Sequence, residues 1–309
     1  MIDNPPIIYF AFNRPYHTKQ SLQSLIKNKN TKQYRLYAFI DGPRNIEERL
    51  ITQKVAQIIK SFTSHFKSLI ININSENKGC DTQIISNLIS FSKQFSEFIY
   101  LEDDIVVNPY FLNYITQALN KYRDCPEVKT IAGYLPSLEI TFSTPFFLKT
   151  FSTWGFGCYS RAIDAFNHDA QDIIYQLNNK KLMSVFTYEH SSYSLDLLKR
   201  HIKDANNIAW DVKFNASILL SDGYTLFPNS SLANNIGTDS SGSNFSFSTN
   251  KYDVDFHLPP STCFPDTIKA SQNAYNAMVK FHKSHKLTFL GHIKSKTTKI
   301  VNLILKKKS

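Results

Sequence analysis

The chain has 309 residues, of which 42% are hydrophobic and 14% aromatic, a composition typical of a protein with a packed core and not of a disordered one. Most of its net charge of +10 lies in residues 266–309, whose ten lysines and one acid leave 25 of the 35 basic and 24 of the 25 acidic residues for the rest of the chain. This nearly neutral body excludes a nucleic-acid-binding surface, which needs clustered positive charge, and no apolar run approaches the roughly 20 residues that span a bilayer.

Apolar strands alternate with helices in the first half of the chain. Strands are predicted at 6–12, 35–40, 69–74 and 98–101, and helices at about 16–28, 46–64, 81–95 and from about 109, with Pro109 just inside the start of the last one. This alternation predicts an α/β fold with a mostly parallel central sheet flanked by helices. The first residues have no basic stretch before their short apolar run, so we expect a strand there and not a signal peptide.

The second half of the chain is less regular. Strands are predicted at 129–133, 146–150 and 223–227, and helices near 168–178 and 190–203. Residues 233–250 are rich in turn-forming residues and are predicted to be a mobile loop. The four cysteines show no paired or metal-binding spacing, which predicts buried thiols in a reducing cytoplasm; they are Cys80, Cys125, Cys158 and Cys263.

Polar residues follow each of the first four predicted strands. They are Asn13-Arg14, Asp41-Gly42, Asn77-Lys78-Gly79 and Glu102-Asp103-Asp104. Because parallel strands end at the same edge of a sheet, and ligands bind beyond that edge, we expect all four clusters to line one rim.

The acidic triplet Glu102-Asp103-Asp104 has two interpretations. It could be an exposed turn, or it could supply oxygen ligands to a divalent cation that neutralises a diphosphate leaving group. Asp41 could likewise belong to a turn formed by Asp-Gly-Pro, or it could accept a hydrogen bond from a base or ribose. Asn77 could belong to a simple loop, or it could place a polar group near a phosphate at a helix start.

Two aromatic segments in the second half are similarly open. Trp154-Gly155-Phe156-Gly157 could be a core corner in which glycines allow a tight bend, or a wall that faces a sugar. Trp210-Asp211 precedes an apolar helical run, where Asp211 could cap the helix or act as a general base.

In this order the motifs resemble those of a GT-A glycosyltransferase. They are PIIYFAFNRP, FIDGPR, NKG, LEDDIVVNPYF, WGFG, WD and NNIGTDSSGSN, between about Pro6 and Asn244. More narrowly, the chain is similar to bacterial relatives of the N-acetylglucosaminyltransferase that initiates complex N-glycans. The LEDD segment, followed by asparagine, proline and an aromatic residue, is the most specific of these motifs.

The resemblance implies a GT-A (nucleotide-diphospho-sugar transferase) fold, a nucleotide-sugar donor and Mn²⁺ or Mg²⁺. Asp104 would be the metal ligand, with the diphosphate and waters completing its shell, and Asp211 would be the catalytic base of an inverting displacement. The residues that would bind the nucleotide are Phe12, Asn13, Arg14, Asp41, Asn77, Glu102 and Asp103.

The resemblance also assigns the acceptor side. The residues that would border the donor sugar and the acceptor are Trp154, Gly155, Phe156, Gly157 and Trp210. The loop 237–244 would close over the diphosphate, although some relatives have a histidine near its end where this chain has Asn244.

Residues 1–265 are accordingly predicted to form the catalytic domain, with a nucleotide-binding half at 1–125 and an acceptor half at 126–265. The basic segment 266–309 is predicted to be a tail whose residues 286–309 form an amphipathic helix, either packed on the domain or bound to an anionic membrane. The predicted function is transfer of a sugar, from a UDP-sugar, to a lipid-linked or surface-glycan acceptor at the inner face of the plasma membrane. A sugar nucleotidyltransferase and a non-catalytic carbohydrate-binding or assembly subunit are the alternatives.

Overall fold

The structure, a computed structural model, describes residues 3–189, 191, 193–205, 209–239, 252–256 and 258–284. The predicted helix at 286–309 and Asn244 lie outside these residues. Ten strands are described: β1 Ile7–Ala11, β2 Arg35–Ile40, β3 Ser68–Ile73, β4 Glu97–Glu102, β5 Ile105–Val107, β6 Val128–Ala132, β7 Phe146–Leu148, β8 Phe156–Tyr159, β9 Tyr224–Phe227 and β10 Ala233–Asn235.

Helices connect and cover these strands. The described α-helices are α1 Pro15–Leu25, α2 Ile46–Ser61, α3 Cys80–Ser92, α4 Phe111–Lys121, α5 Ser160–Asp164, α6 Ala170–Asn179, α7 Met183–Phe186, α8 Tyr193–Lys203, α9 Trp210–Leu220 and α10 Gln272–Ser284, with short 3₁₀ turns at Thr31–Gln33 and Thr63–His65. Within the described part of the chain, none of them is both long enough and apolar enough to cross a membrane.

Eight strands form one sheet in the order β3-β2-β1-β4-β8-β6-β9-β7, and β10 pairs with β5 in a separate two-stranded ladder. Strands β3, β2, β1 and β4 are parallel neighbours, whereas β8 and β7 run antiparallel to the strands beside them. The α/β fold with a mostly parallel central sheet is therefore confirmed. Strand β8 was not predicted, because four residues beside two glycines carry too little pattern to distinguish a strand from a bend.

The sheet is covered on both faces at β1, which explains why this strand is apolar at every position. Ile7 and Tyr9 pack on the side of α1, α2 and α4, whereas Ile8 and Phe10 pack on the side of α3 and α9. Successive side chains of a strand point to opposite faces, so a doubly covered strand has no polar face.

Three local predictions are wrong. Helix α4 begins at Phe111, with Tyr110 as its N-cap, so Pro109 precedes the helix and does not lie inside it. The first residues of the predicted loop 233–250 form β10, whose backbone pairs with β5 from Ala233↔Val107 to Asn235↔Ile105. Cys263 is exposed, and Cys80 and Cys125 are half-buried, so Cys158 is the one fully buried residue of the four cysteines.

Helix α10 lies within residues 266–309 and packs on the edge strand β7. Its residues Ala274, Met278 and Val279 are buried in a cluster with Phe146 and Phe227. This first part of the basic segment is thus attached to the sheet in the structure.

Candidate active site

The turn between β4 and β5 carries the acidic triplet and is buried. Asp103 is 2% exposed and Asp104 9%, while Glu102 is partly exposed. The interpretation of the triplet as an exposed turn is therefore wrong. A buried carboxylate needs a counter-charge, hydrogen-bond donors or a bound cation to offset its desolvation.

Helix α1 holds this turn through two serines, one helical turn apart. The Ser21 hydroxyl donates to the Ile105 carbonyl at 2.7 Å. The Ser24 hydroxyl accepts from the Val107 amide at 2.9 Å. These contacts fix the backbone on the β5 side of the triplet, so the carboxylates project from a rigid turn.

Arg14 lies beside both aspartates and compensates part of their charge. One nitrogen of its guanidinium pairs with Asp103, and Nη1 lies 2.9 Å from Asp104 Oδ2. The Phe12 amide also donates to Asp103 Oδ2 at 3.3 Å. The end of β1 and the end of β4 therefore meet at one rim, as predicted.

Asp104 keeps one carboxylate oxygen without a partner. Oδ2 is paired with Arg14, but Oδ1 is buried and accepts no hydrogen bond from any described residue. The chain returns over this group: the Ile236 amide donates to the Asp104 carbonyl at 2.9 Å, and a Cβ atom added at Gly237 would lie 2.2 Å from Asp104 Oδ2. A glycine at this position leaves the carboxylate its space.

An unpaired carboxylate oxygen suits a hard divalent cation. Among the described residues there is no cluster of three or more His, Cys, Asp or Glu side chains able to hold a metal ion. The residues thus fit a cation that takes one protein ligand, Asp104, and the rest of its shell from a diphosphate and water, as Mg²⁺ commonly does.

The charges in this region perturb one another. Burial, and next the charge of Asp104, raise the pKa of Glu102 to about 8. Burial also raises the pKa of Asp103, while the charge of Arg14 acts in the opposite direction. The single positive charge of Arg14 thus lies against two neighbouring aspartates.

Asp41, at the end of β2, organises the loop that leads into α3. Its carboxylate accepts from the side chains of Asn74 (3.1 Å) and Asn77 (2.9 Å) and from the backbone amides of Gly42 (2.9 Å), Lys78 (2.9 Å) and Gly79 (3.0 Å). These five donors use the acceptor capacity of a carboxylate. The Asp41 and Asn77 side chains thus hold each other in the structure, and their contact with a nucleotide remains a prediction.

Phe12 and Asn13 belong to a small network with α2. Asn13 donates to Glu48 at 3.1 Å, and the Arg44 guanidinium, which is hydrogen-bonded to Glu48, lies 5.3 Å from the centre of the Phe12 ring. The hydrogen bond from Arg44 is the main cause that lowers the pKa of Glu48 to about 2. This network places a cation and an aromatic face beside Arg14 at the rim.

Asp211 lies in the first turn of α9. Burial raises its pKa to about 6; the hydrogen bond from the Val212 amide opposes this shift and the charge of Asp81 adds to it. A carboxylate with this pKa is ionised at neutral pH and is still basic enough to accept a proton.

The Cys80 thiol connects the two carboxylate groups. Burial raises its pKa well above the ordinary value, and so do the charges of Glu102, Asp81, Asp211 and Asp104, in that order. The acidic turn and Asp211 therefore both act electrostatically on the start of α3.

The predicted sugar-facing residues divide into two groups. The first group lies in the core: Phe156 is 0% exposed with its ring 4.6 Å from that of Tyr100, and Trp210 packs against the same tyrosine at 5.5 Å. A Cβ atom added at Gly157 would lie 2.7 Å from Ile115, so the backbone there is packed under α4. In the structure, these residues therefore belong to the core, which is the first of the two interpretations given for this motif.

Trp154 and Gly155 form the second group and lie at the bend before β8. Trp154 is half-buried between Tyr134 and Tyr252, with ring centres 4.5 and 5.4 Å apart. Gly155 has φ +70°, a backbone conformation that favours glycine, and its carbonyl accepts from the Gly133 amide at 2.8 Å. Trp154 is thus the member of the motif with a partly accessible ring.

Sequence reasoning missed several residues of this region. Glu48 had a signal, since Asn45-x-x-Glu48 is a capping-box pattern, and the Asn45 side chain accepts from the Glu48 amide at 2.9 Å. No sequence signal points to Ser21, Cys80 or Asp81, because the residues around them in the fold lie far away in the sequence.

Comparison with known proteins gives distant structural likenesses alone. No family model matches the chain, and neither does any curated protein. Among solved structures, residues 1–349 of S. aureus TarS match with a TM-score of 0.38 and 12% identity over 52% of this chain, which spans about half (48%) of that TarS chain. A longer S. aureus TarS structure matches with the same score and identity, over 53% of this chain and 30% of that one.

The mannosyltransferase PcManGT from Pyrobaculum calidifontis, in complex with GDP-Man and Mn²⁺, matches with a TM-score of 0.37 and 8% identity over 70% of each chain. Likenesses of this size assign neither a family nor an activity to this chain.

Proposed function

We propose that this protein is an inverting, metal-dependent glycosyltransferase that moves a hexosyl or N-acetylhexosaminyl group from a nucleotide-sugar, with UDP as the first nucleotide to test, to a lipid-linked or surface-glycan acceptor. The observation that carries the proposal is the buried, unpaired Oδ1 of Asp104 at the carboxyl end of β4. Such an oxygen is costly to bury, and a cation bound there would offset the cost.

Asp104 would hold Mn²⁺ or Mg²⁺, which when bound supplies positive charge beside a diphosphate leaving group. Arg14 keeps the Asp104 carboxylate oriented through Oδ2. Glu102, Asp103 and the residues at the ends of β1 and β2 would form the wall against the nucleoside. In that wall Asp103 accepts from Phe12 and Arg14, which holds the carboxylate in one orientation.

Asp211 would act as the general base. Its carboxylate would accept the proton of the acceptor hydroxyl while that oxygen bonds to the anomeric carbon and the bond to the diphosphate oxygen breaks. A single displacement of this kind inverts the anomeric configuration. The proton would then leave Asp211 for solvent when the product departs, because a pKa of about 6 lies below neutral pH.

The test is a thermal-shift panel of UDP-glucose, UDP-galactose, UDP-N-acetylglucosamine and GDP-mannose with and without Mn²⁺. We expect one donor together with Mn²⁺ to raise the melting temperature by about 5 °C, and the donor alone or Mn²⁺ alone to raise it less. Asp104→Asn should lose the Mn²⁺-dependent part, whereas Asp124→Asn, an exposed control, should keep it. No shift with any donor and Mn²⁺ would refute the proposal.

Turnover separates the proposal from its alternatives. Slow Mn²⁺-dependent release of UDP from the bound UDP-sugar is expected of a transferase, and Asp211→Asn should abolish it while the thermal shift with donor persists. Binding without any release would instead favour a non-catalytic subunit. Formation of a nucleotide-sugar and pyrophosphate from UTP and a sugar 1-phosphate would favour a nucleotidyltransferase.

We further propose that the basic residues beyond α10 attach the protein to an anionic membrane. The support is the lysine-rich amphipathic pattern of residues 286–309. The full chain should sediment with vesicles that contain anionic lipid at low salt and not with neutral vesicles; equal sedimentation with both would refute the proposal.

A further inference from the structure

The N-terminus of α9 is capped by a carboxylate from a different helix. Asp81, in the first turn of α3, accepts from the Ala209 amide at 3.1 Å and from the Trp210 amide at 3.2 Å. The N-cap residue Ala209 has no side-chain acceptor of its own. The first amides of a helix lack intrahelical partners, so Asp81 fulfils here the role that an N-cap side chain usually fulfils.

The position of Asp81 is itself set by the rim of the sheet. Gly79, with φ +77°, is the N-cap of α3, and its amide donates to Asp41 at 3.0 Å. A short chain of hydrogen bonds therefore runs from the end of β2, through the start of α3, to the start of α9. Asp211 is the second residue of α9, directly after the amide that Asp81 holds.

The surroundings of Asp211 contain several other ionisable groups. From α3 these are Cys80 and Asp81, and from α8 Tyr193, whose phenol also feels the charge of Asp211. Within α9 the buried Lys213 has its Nζ 3.8 Å from Asp81 Oδ2 and 3.2 Å from Nε2 of His201 in α8. Asp81 thus lies between the lysine and the start of the helix.

We propose that Asp81 is a positioning residue for Asp211: by accepting from the Ala209 and Trp210 amides it fixes the first turn of α9, and with it Asp211, against the start of α3. This inference rests on the proposed role of Asp211 as the general base. No other described side chain is hydrogen-bonded to the amides of Ala209 and Trp210.

Two substitutions test this role. Asp81→Asn retains an oxygen acceptor for the amides, whereas Asp81→Ala removes it. With UDP-N-acetylglucosamine and Mn²⁺ as the probe, Asp81→Ala should lower kcat for UDP release by up to about 100-fold, the loss produced by a misplacement of about 1 Å, with KM for the donor little changed. Asp81→Asn should keep most of the wild-type kcat, and a loss in Asp81→Ala no greater than in the control variant below would overturn the inference.

The matched control is Asp169→Ala. Asp169 caps α6 by accepting from the amides of Gln171 and Asp172, at 2.8 and 3.2 Å, so its removal costs a helix cap at the start of α6 and not at the start of α9. We expect it to lower the melting temperature and to leave kcat and the exchange of the Trp210 amide unchanged. A merely structural role of Asp81 would give the same result as this control.

A measurement without turnover tests the position of the helix independently. Hydrogen exchange of the Trp210 amide is compared in the wild type, Asp81→Asn, Asp81→Ala and the control variant. Exchange should accelerate by about tenfold or more in Asp81→Ala and change less in Asp81→Asn, because the asparagine still offers an oxygen acceptor. Unchanged exchange of the Trp210 amide in Asp81→Ala would overturn the inference.

The two proposals fail in different ways. If Asp211→Asn releases UDP at the wild-type rate, the assignment of the base is wrong whatever the Asp81 variants do. If Asp211→Asn abolishes release but Asp81→Ala keeps the wild-type kcat, only the role of Asp81 is wrong.

Discussion

Replacing Asp211 by Asn should stabilise the fold at neutral pH while it abolishes sugar transfer. The carboxyl has a pKa of about 6 in the folded protein, raised from an ordinary value of 3.8 mainly by burial. The folded state therefore binds a proton more tightly than the unfolded state does. Ionised Asp211 destabilises the fold, and the neutral amide of Asn removes this cost.

The size and the pH window follow from the two pKa values. A shift from 3.8 to about 6 corresponds to about 3 kcal/mol of unfolding free energy. The cost of the charge is absent well below pH 3.8, grows as the pH rises through the interval between the two values, and is complete above about pH 7. Between pH 5 and pH 8 the advantage of Asp211→Asn should grow by about 1.5 kcal/mol.

The assay is urea unfolding followed by circular dichroism at pH 5, 6, 7 and 8. Asp164→Asn, which changes an exposed carboxylate at the end of α5, serves as the matched control for the loss of a surface carboxylate. If Asp211→Asn differs from the wild type by the same amount at every pH, then Asp211 has no raised pKa and the argument that it is a tuned base fails.

Three further changes test the acidic rim. Arg14→Met removes the cation paired with Asp103 and Asp104, so it should lower the unfolding free energy by about 3 kcal/mol without metal. Mn²⁺ alone should then stabilise this variant more than it stabilises the wild type. Equal stability of the two proteins would contradict the pairing. Gly237→Ala places a methyl group 2.2 Å from Asp104 Oδ2, so the increase in melting temperature caused by Mn²⁺ with UDP should be lost. An undiminished increase would show that the backbone at Gly237 moves away from Asp104 and does not restrict the site. Asp41→Asn replaces one acceptor oxygen by an NH₂ group among five hydrogen-bond donors. Hydrogen exchange of the loop amides that lead into α3 should therefore accelerate by about tenfold or more. Unchanged protection of these amides would refute the organising role of this carboxylate.

Short-range patterns in the sequence were sufficient to predict the strands β1 to β4 and the helices between them. Apolar runs bounded by polar residues define buried parallel strands, and the ends of such strands lie at one edge whatever the details of packing. For this reason the meeting of Arg14 with Asp103 could be expected from the sequence.

Other features depend on contacts between residues far apart in the chain, and only the tertiary structure decided them. The insertion of β8 between β4 and β6, the pairing of β10 with β5 and the burial of Phe156 and Trp210 were not encoded in any local pattern. The capping of α9 by Asp81 is of the same kind, since 128 residues separate the carboxylate from the Ala209 amide. Local spacing determines which side of an element is apolar, whereas the partner that covers that side, or satisfies a free amide, is set by how the elements pack.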